Sequence, residues 1–529
     1  MNGKAVLRTF CILIPAVWAI AFTACSSIAE IRQDNSKAYN DKIELDRAIT
    51  GNPSGTGSDP YHSMAYNKRG LWYAENNSLK WAIKFYNESI RLNPNEAWSY
   101  NIRGIAYYEK GDLEQAVTDY TEAIWLDRDY AAAYYNRGIL YGDGGDLDKA
   151  IAEYTEAIQA DLYCAAAYNN RGTLYFIKDN LDQAIADYSE GIRIKPDYSL
   201  IYRNRGLAYQ IKGYLDLAIA DYTHAIRWEP NHAAAHRSRG LLYIKKGDFN
   251  SAIADFTEAI RLNPEDAWAY SNRGLAYKET GCLDKVIEDT NQAIRRDPDL
   301  AAAYHSRGFA YAKKAEFDLA LADYSESIML NPGVAAVYRD RAYVYTVKGN
   351  PDLAIADLTE AIWLDKNEAT AYHNRGLAYV KTGDMELAIT DFDEAIQLNP
   401  RNVALYNDRG NAYFNKGDTE RAIADYERVI RLNPDFVQAY FFLGFYHADR
   451  GNYDRAIAEF SQVIRLRPYD YFGYYHRGFA YKEKGEMGKA VDDWETLLHL
   501  NPYHADAENV VNALNEFRRQ QAWNQAEDE

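Results

Sequence analysis

Two histidines, His232 and His236, stand four residues apart, a spacing that places two imidazoles on one face of a helix. Such a pair could contribute to a metal site, but a zinc site needs at least three protein ligands. No third ligand is evident nearby in the sequence, so an accidental spacing is the better interpretation. The sequence predicts no metal site and no cofactor site.

A second candidate for chemistry is an arginine that recurs together with an acidic residue sixteen positions later, as at Asp187, Asp221 and Asp255. Carboxylates that serve catalysis would not be duplicated a dozen times along one chain. We therefore interpret these residues as ion pairs between helices. The glycine-rich run Gly142–Gly145 lacks the spacing of a phosphate-binding loop and is interpreted as a turn. No enzymatic function is predicted.

These residues belong to a strictly periodic stretch from Ser63 to His504. A glycine, replaced once by Ala342, recurs every 34 residues through 13 repeats without an insertion. Repeats of this length are pairs of helices stacked on one another. The glycines are Gly70, Gly104, Gly138, Gly172, Gly206, Gly240, Gly274, Gly308, Gly376, Gly410, Gly444 and Gly478.

When the glycine is numbered as position 8 of each repeat, small and aromatic residues also recur at fixed positions. One repeat reads Ala-Trp-Ala-Tyr-Ser-Asn-Arg-Gly-Leu-Ala-Tyr over 267–277, and the preceding one supplies Ala252, Phe256, Ala259 and Pro264. This pattern resembles the tetratricopeptide repeat (TPR) over about five sixths of the chain. The resemblance implies an all-α, right-handed α-solenoid of about 13 helix-turn-helix repeats. Position 7 departs from the family, because it is arginine in every repeat except at Leu443.

Packing considerations agree with this fold. Glycine at position 8 and alanine at position 20 allow helices to approach to roughly 8–10 Å. Most of the 46 tyrosines fall at positions 4, 11 and 24 and are predicted to fill the core. Residues 505–523, which lack the glycine, are predicted to form a helix that caps the last repeat, because solenoids need such a cap.

In the TPR family, positions 2, 5, 9 and 12 of the first helix line a concave groove that holds partner segments. The resemblance places five aromatic residues there, which would act as binding hot spots. The alternative is that they pack beneath the cap or between repeats. A weaker candidate is a polar run of three arginines, and the family's carboxylate clamp is not recognisable. The predicted groove residues are Phe441, Phe445, Phe472, Tyr475, Phe479, Arg203, Arg237 and Arg339.

The amino terminus predicts export and a lipid anchor. Residues 1–8 carry two basic residues, residues 9–24 carry no charge, and Phe22-Thr-Ala-Cys25 resembles the lipobox of bacterial lipoproteins. An ordinary secretory signal or an uncleaved anchor is the alternative. The predicted segments are 1–24 (signal peptide), 25–62 (polar leader and linker), 63–504 (repeats), 505–523 (capping helix) and 524–529 (polar tail).

The net charge of the chain limits the classes of partner that it is expected to bind. The formal net charge of −18 argues against nucleic acid, whose binding needs a clustered basic surface. The sequence therefore predicts a non-catalytic scaffold, lipid-anchored through Cys25 in the bacterial cell envelope and facing the periplasm or the exterior, that binds one or more proteins or peptides along its groove. The alternative function is binding of glycan or peptidoglycan through the C-terminal aromatic residues.

Overall fold

A computed structural model describes residues 60–502 and 507–527. Within these ranges it contains 27 α-helices and no strand, which confirms the all-α prediction. The predicted signal peptide, Cys25 and the leader up to residue 59 lie outside the described residues. The chain divides into two compact sections, Met1–Thr280 and Gly281–Glu529.

The described part of the N-terminal section is a tandem series of six helix pairs followed by one further helix, and the helices of each pair pack on each other and on the next helix. In this section the odd-numbered helices are the first helices of their repeats. They are α1 (Pro60–Glu75), α2 (Leu79–Leu92), α3 (Ala97–Lys110), α4 (Leu113–Leu126), α5 (Ala131–Asp143), α6 (Leu147–Ala160), α7 (Ala165–Ile177), α8 (Leu181–Ile194), α9 (Ser199–Lys212), α10 (Leu215–Trp228), α11 (Ala233–Lys246), α12 (Phe249–Leu262) and α13 (Ala267–Glu279).

The C-terminal section continues the same pattern and ends in one additional helix. Its helices are α14 (Leu283–Arg296), α15 (Ala301–Lys313), α16 (Phe317–Leu330), α17 (Ala335–Val347), α18 (Pro351–Leu364), α19 (Ala369–Thr382), α20 (Met385–Leu398), α21 (Val403–Lys416), α22 (Thr419–Leu432), α23 (Val437–Asp449), α24 (Tyr453–Leu466), α25 (Tyr471–Lys484), α26 (Met487–Leu500) and α27 (Ala507–Glu527).

The core of each repeat is built from the small and aromatic positions. In repeat 6, Ala252, Phe256 and Ala259 of α12 are fully buried. The Phe256 ring lies against Gly240 of α11, where an added Cβ would come within 3.0 Å of the ring. Such a contact is tighter than ordinary packing, so a side chain at this position would push the ring or the helix away by a few tenths of an ångström.

The turn inside each repeat requires a left-handed residue at position 15. In repeat 6 this is Gly247, with φ of 77°, and the next amide, that of Asp248, donates to the Tyr243 carbonyl at 2.9 Å. These are features of a glycine C-cap. Repeats 1, 4 and 8 place Asn77, Asp179 and Ala315 at the same position, each with φ of 60°.

The arginines at position 7 join three helices. In repeat 10, Nε and Nη2 of Arg375 donate to the carboxylate of Asp391 at 2.8 and 2.7 Å, and Nη1 donates to Thr359 in the preceding repeat at 3.1 Å. The predicted pairing between helices therefore extends to a contact between repeats. The same bidentate pairing occurs at Arg103–Asp119, Arg171–Asp187, Arg205–Asp221, Arg239–Asp255, Arg307–Asp323, Arg341–Asp357, Arg409–Asp425 and Arg477–Asp493.

The last helix covers the final repeat, as the capping prediction required. Val510 and Leu514 of α27 are buried and form one apolar cluster with Ala490 and Trp494 of α26. This contact removes from water the apolar edge that a terminal repeat would otherwise expose.

Candidate binding face

The A-helix face is the surface lined by positions 2, 5, 9 and 12 of the first helix of each repeat. In the N-terminal section, asparagines at position 5 of this face pair with asparagines at position 6 of the next repeat. Asn136 donates to Asn101 at 2.9 Å, and Asn204 donates to Asn169 at 2.9 Å. All four side chains are buried. Because buried polar groups are stable only when paired, these amides hold adjacent repeats together.

In the C-terminal section, positions 5 and 6 of adjacent repeats are joined twice by a histidine–carboxylate pair. His305 Nε2 lies 2.9 Å from Asp340, and His373 Nε2 lies 2.8 Å from Asp408. Burial alone would raise the pKa of Asp340, but its hydrogen bond with His305 and nearby positive charge outweigh that effect and lower it. Asp340 is therefore an ionised partner of His305.

The three predicted arginines differ in their partners. Arg237 donates to Asp266 at 2.7 Å, and Arg339 pairs with Glu368 and, at 3.2 Å, with Asp340. Two of the three guanidinium groups are therefore occupied by carboxylates of the same chain. Arg203 has no hydrogen bond or ion pair with any residue in the described part of the chain.

Three of the five predicted aromatic residues come together where repeats 12 and 13 meet. The rings of Phe441 and Phe445 are stacked at 6.3 Å, and Phe445 meets His476 edge to face at 4.4 Å. Phe472 lies parallel to His476 at 6.4 Å. Phe445 is 44% exposed and Phe472 is 45% exposed. We call Phe441, Phe445, Phe472 and His476 the aromatic patch.

The other two predicted aromatic residues belong to the packing under the cap. Tyr475 and Phe479 are partly buried against the cluster of Trp494, Val510 and Leu514, and Phe479 lies 4.9 Å from Tyr475 and 5.1 Å from Trp494. Packing beneath the cap therefore describes Tyr475 and Phe479, whereas partner binding by Phe441, Phe445 and Phe472 stays a prediction.

Two residues of this region were missed from the sequence. His476 occupies position 6, which lies outside the four groove positions, so the template gave no signal for it. Phe414 is 50% exposed at position 12 of repeat 11, and its ring lies 6.0 Å from Phe442. The same template could have found Phe414, because position 12 is one of its four positions.

His232 and His236, the pair considered as metal ligands, both make hydrogen bonds within the chain. Nδ1 of His236 lies 3.1 Å from Asp255, and its Nε2 lies 3.1 Å from the Pro230 carbonyl. Nδ1 of His232 accepts the amide of Ala235 at 3.1 Å and caps α11. The part of the chain that the structure describes holds no group of three or more residues suited to a metal ion.

Helix pairs stacked in tandem define this chain as an α-helical repeat protein. Models described as tetratricopeptide repeat or TPR repeat match residues 85–118, 104–144, 131–163, 172–213, 201–232, 240–281, 377–417 and 407–471. Together they cover just over half of the chain. The chain belongs to the tetratricopeptide repeat family, whose members generally mediate protein–protein interactions and are typically non-catalytic.

Similar solved structures include a tetratricopeptide repeat protein from Parabacteroides merdae, 22% identical over 47% of this chain and 98% of that chain, with a TM-score of 0.37. YrrB, described as a TPR protein with an unusual peptide-binding site, is 23% identical over 37% of this chain and 97% of its own, with a TM-score of 0.33. A chain of the APC/C hetero-tetramer Cut9–Hcn1 is 18% identical over 86% and 97%, with a TM-score of 0.33. At these identities the likeness concerns the fold alone. No curated protein matches the sequence.

Proposed function

We propose that this protein is a non-catalytic scaffold that binds an extended segment of a partner protein at the aromatic patch. The observation that carries the proposal is the exposure of Phe445 and Phe472 on the A-helix face. Their rings lie beside His476, which gives a ligand side chain an aromatic wall to pack against. Aromatic residues at such positions typically contribute about 2 kcal/mol or more to binding.

The surroundings of the patch define the ligand further. Lys482, at position 12 of repeat 13, lies 5.9 Å over the ring of Phe479, so a positive charge stands on α25, the helix that also carries Phe472 and His476. A segment with an apolar or aromatic side chain and a nearby carboxylate would satisfy both features. Glycan stacking on the same rings is the competing outcome of the binding test.

The proposal is tested by affinity capture with the intact protein and a variant carrying Phe445→Ser and Phe472→Ser. The matched control carries Trp125→Ser and Trp363→Ser, two tryptophans on second helices that are 70% and 71% exposed. We expect a defined protein set to be lost with the patch variant and kept with the control. Loss from both variants or from neither contradicts binding at the patch, and capture of sacculi alone by the intact protein favours glycan.

We also propose that the protein is anchored by lipid at Cys25 and works in the bacterial cell envelope. The support is the uncharged stretch 9–24 followed by the lipobox-like Phe22-Thr-Ala-Cys25. No helix in the described ranges is long and apolar enough to cross a bilayer. We expect the protein to take up radiolabelled palmitate and to enter the detergent phase of Triton X-114, and Cys25→Ser to abolish both. Unchanged labelling of the variant would rule out this anchor.

A further inference from the structure

Arg203 occupies position 5 of repeat 5, and it differs from the equivalent arginines of repeats 6 and 9. In those repeats, the residue 29 positions later is an acid at the start of the next repeat, and the arginine pairs with it: Asp266 for Arg237 and Glu368 for Arg339. For Arg203 the residue 29 positions later is His232. The position that supplies a carboxylate elsewhere supplies an imidazole here.

The imidazole cannot replace the missing acceptor. Nδ1 of His232 already accepts the amide of Ala235 at 3.1 Å. Burial, together with the positive charge of Arg203, lowers the pKa of His232, so the ring is neutral at pH 7. A neutral ring whose Nδ1 accepts a hydrogen bond carries its proton on Nε2. The pair therefore offers two kinds of N–H donor and no free acceptor.

The electrostatics of Arg203 are those of a cation without a counter-ion. Burial lowers the pKa of Arg203, and the charge of Glu229 offsets this only in part. Glu229 itself accepts a hydrogen bond from Ser199 at 2.8 Å. For Arg339, burial also acts to lower the pKa, but Glu368 and Asp340 outweigh it and raise the value. A partly buried guanidinium without a carboxylate is costly to the fold, and an anion from outside would relieve that cost.

Apolar side chains follow Arg203 and His232 on the same two helices. Leu207 lies one helical turn after Arg203 at position 9 of its repeat, and Leu241 and Ile244 occupy positions 9 and 12 on α11. All three are partly buried, Leu207 against a core cluster shared by repeats 4 and 5, and Leu241 and Ile244 against one shared by repeats 6 and 7. A ligand that places a carboxylate on Arg203 therefore meets an apolar surface next to it. Leu207 stands where the family's carboxylate clamp requires asparagine, so the arrangement is not that clamp.

We propose that Arg203 and His232 form a binding site for the carboxylate of a peptide ligand whose neighbouring side chain is apolar. The guanidinium donates to the carboxylate, the Nε2–H group of His232 supplies a further hydrogen bond, and Leu207 and Leu241 contact the apolar side chain. The inference rests on the proposed function, because it assigns a second ligand contact to the A-helix face, far along the chain from the aromatic patch.

The test uses the full chain and N-acetyl-leucine, which carries a free carboxylate and one apolar side chain. The variants are His232→Asp, which supplies the carboxylate that repeats 6 and 9 contain, and Arg203→Leu. N-acetyl-leucinamide controls for the charge, and inorganic phosphate controls for a general anion effect. Binding is measured by the rise in Tm and by the Nε–Hε resonance of Arg203 in the ¹⁵N-arginine-labelled protein.

We expect N-acetyl-leucine to raise the Tm and shift the Arg203 resonance of the wild-type protein. The amide should do neither, and both variants should lose the response. His232→Asp should also raise the Tm in the absence of ligand, because the new carboxylate would pair with Arg203. An equal response of the His232→Asp variant, an equal effect of phosphate, or no response of the wild-type protein would overturn the proposal.

The outcome is separable from that of the scaffold proposal, because no partner protein is present in this assay. If N-acetyl-leucine binds but no protein is captured, the Arg203 site is supported and partner binding at the aromatic patch is rejected. If protein capture depends on the aromatic patch and N-acetyl-leucine gives no response, the scaffold proposal is supported and the Arg203 site is rejected.

Discussion

The carboxylate of Asp391 accepts two parallel hydrogen bonds from Arg375, at 2.8 and 2.7 Å, while only a small part of either side chain reaches solvent. This is the geometry in which a charged pair is strongest. It also fixes the angle between two helices of one repeat, and the third guanidinium nitrogen fixes the preceding repeat.

Removal of this carboxylate leaves a partly buried guanidinium unpaired. We expect Asp391→Ala to lower the stability of repeat 10 by about 2–4 kcal/mol, seen as an earlier urea transition by circular dichroism. The control is Asp318→Ala, which removes an acid that pairs with Lys348 at the surface and is expected to cost about 0–1 kcal/mol. Equal effects of the two changes would mean that the position-7 pairs do not stabilise the repeats.

Repeat 12 lacks the ion pair between the position-7 arginine and the acid 16 residues later, because Leu443 stands at position 7. The acid 16 residues later, Glu459, therefore lacks the position-7 arginine, and burial, together with the charge of Glu427, raises its pKa against the opposing charge of Arg455. The folded repeat therefore binds this proton more tightly than the unfolded chain does. The stabilising contribution is present below the ordinary glutamate pKa of about 4.3 and is lost as pH rises through the raised value.

We expect Glu459→Gln to stabilise repeat 12 at pH 7 and to have little effect at pH 4, measured by the pH dependence of the Tm. The matched control is Glu420→Gln, an exposed acid of the neighbouring repeat. A stabilisation that is the same at both pH values would show that the charge of Glu459 is not the cause.

Ala315 holds the left-handed conformation that glycine holds in the next repeat, with φ of 60° against 78° at Gly349. A side chain in this region costs about 1 kcal/mol. We expect Ala315→Gly to stabilise repeat 8 by about that amount and Gly349→Ala to destabilise repeat 9 similarly, measured by the hydrogen exchange of α16 and α18. Effects of the same sign would refute this explanation of the turn.

Repeat 7 has the smallest core residue at position 24. Thr290 is fully buried where Phe256 and Tyr324 stand in the adjacent repeats, and its hydroxyl donates to the Val286 carbonyl at 2.6 Å. A missing core aromatic costs several kcal/mol, so we expect the amides of α14 to exchange at least about tenfold faster than those of α12 and α16. Thr290→Phe should slow them. Exchange no faster in α14 than in its neighbours would contradict this prediction.

The fold was predictable because every repeat places small and aromatic residues at the same positions. Gly240 and Phe256 illustrate it, since a glycine facing a ring recurs at the same spacing along the chain. The candidate site was only partly predictable. Whether Tyr475 faces a partner or the cap depends on α27, whose packing no repeat position encodes. Whether Arg203 has a carboxylate partner depends on the residue 29 positions later. The repeat pattern describes each position by itself and does not compare such pairs.

The most direct test of the scaffold account is site-specific photo-crosslinking in living cells. The photoreactive residue p-benzoylphenylalanine is placed at Phe472 in the aromatic patch and, as a control, at the exposed Trp363 on α18. The account predicts one discrete protein adduct from position 472 that is absent from position 363 and disappears when Phe445→Ser is added. Equal adducts from both positions, or none from position 472, would contradict it.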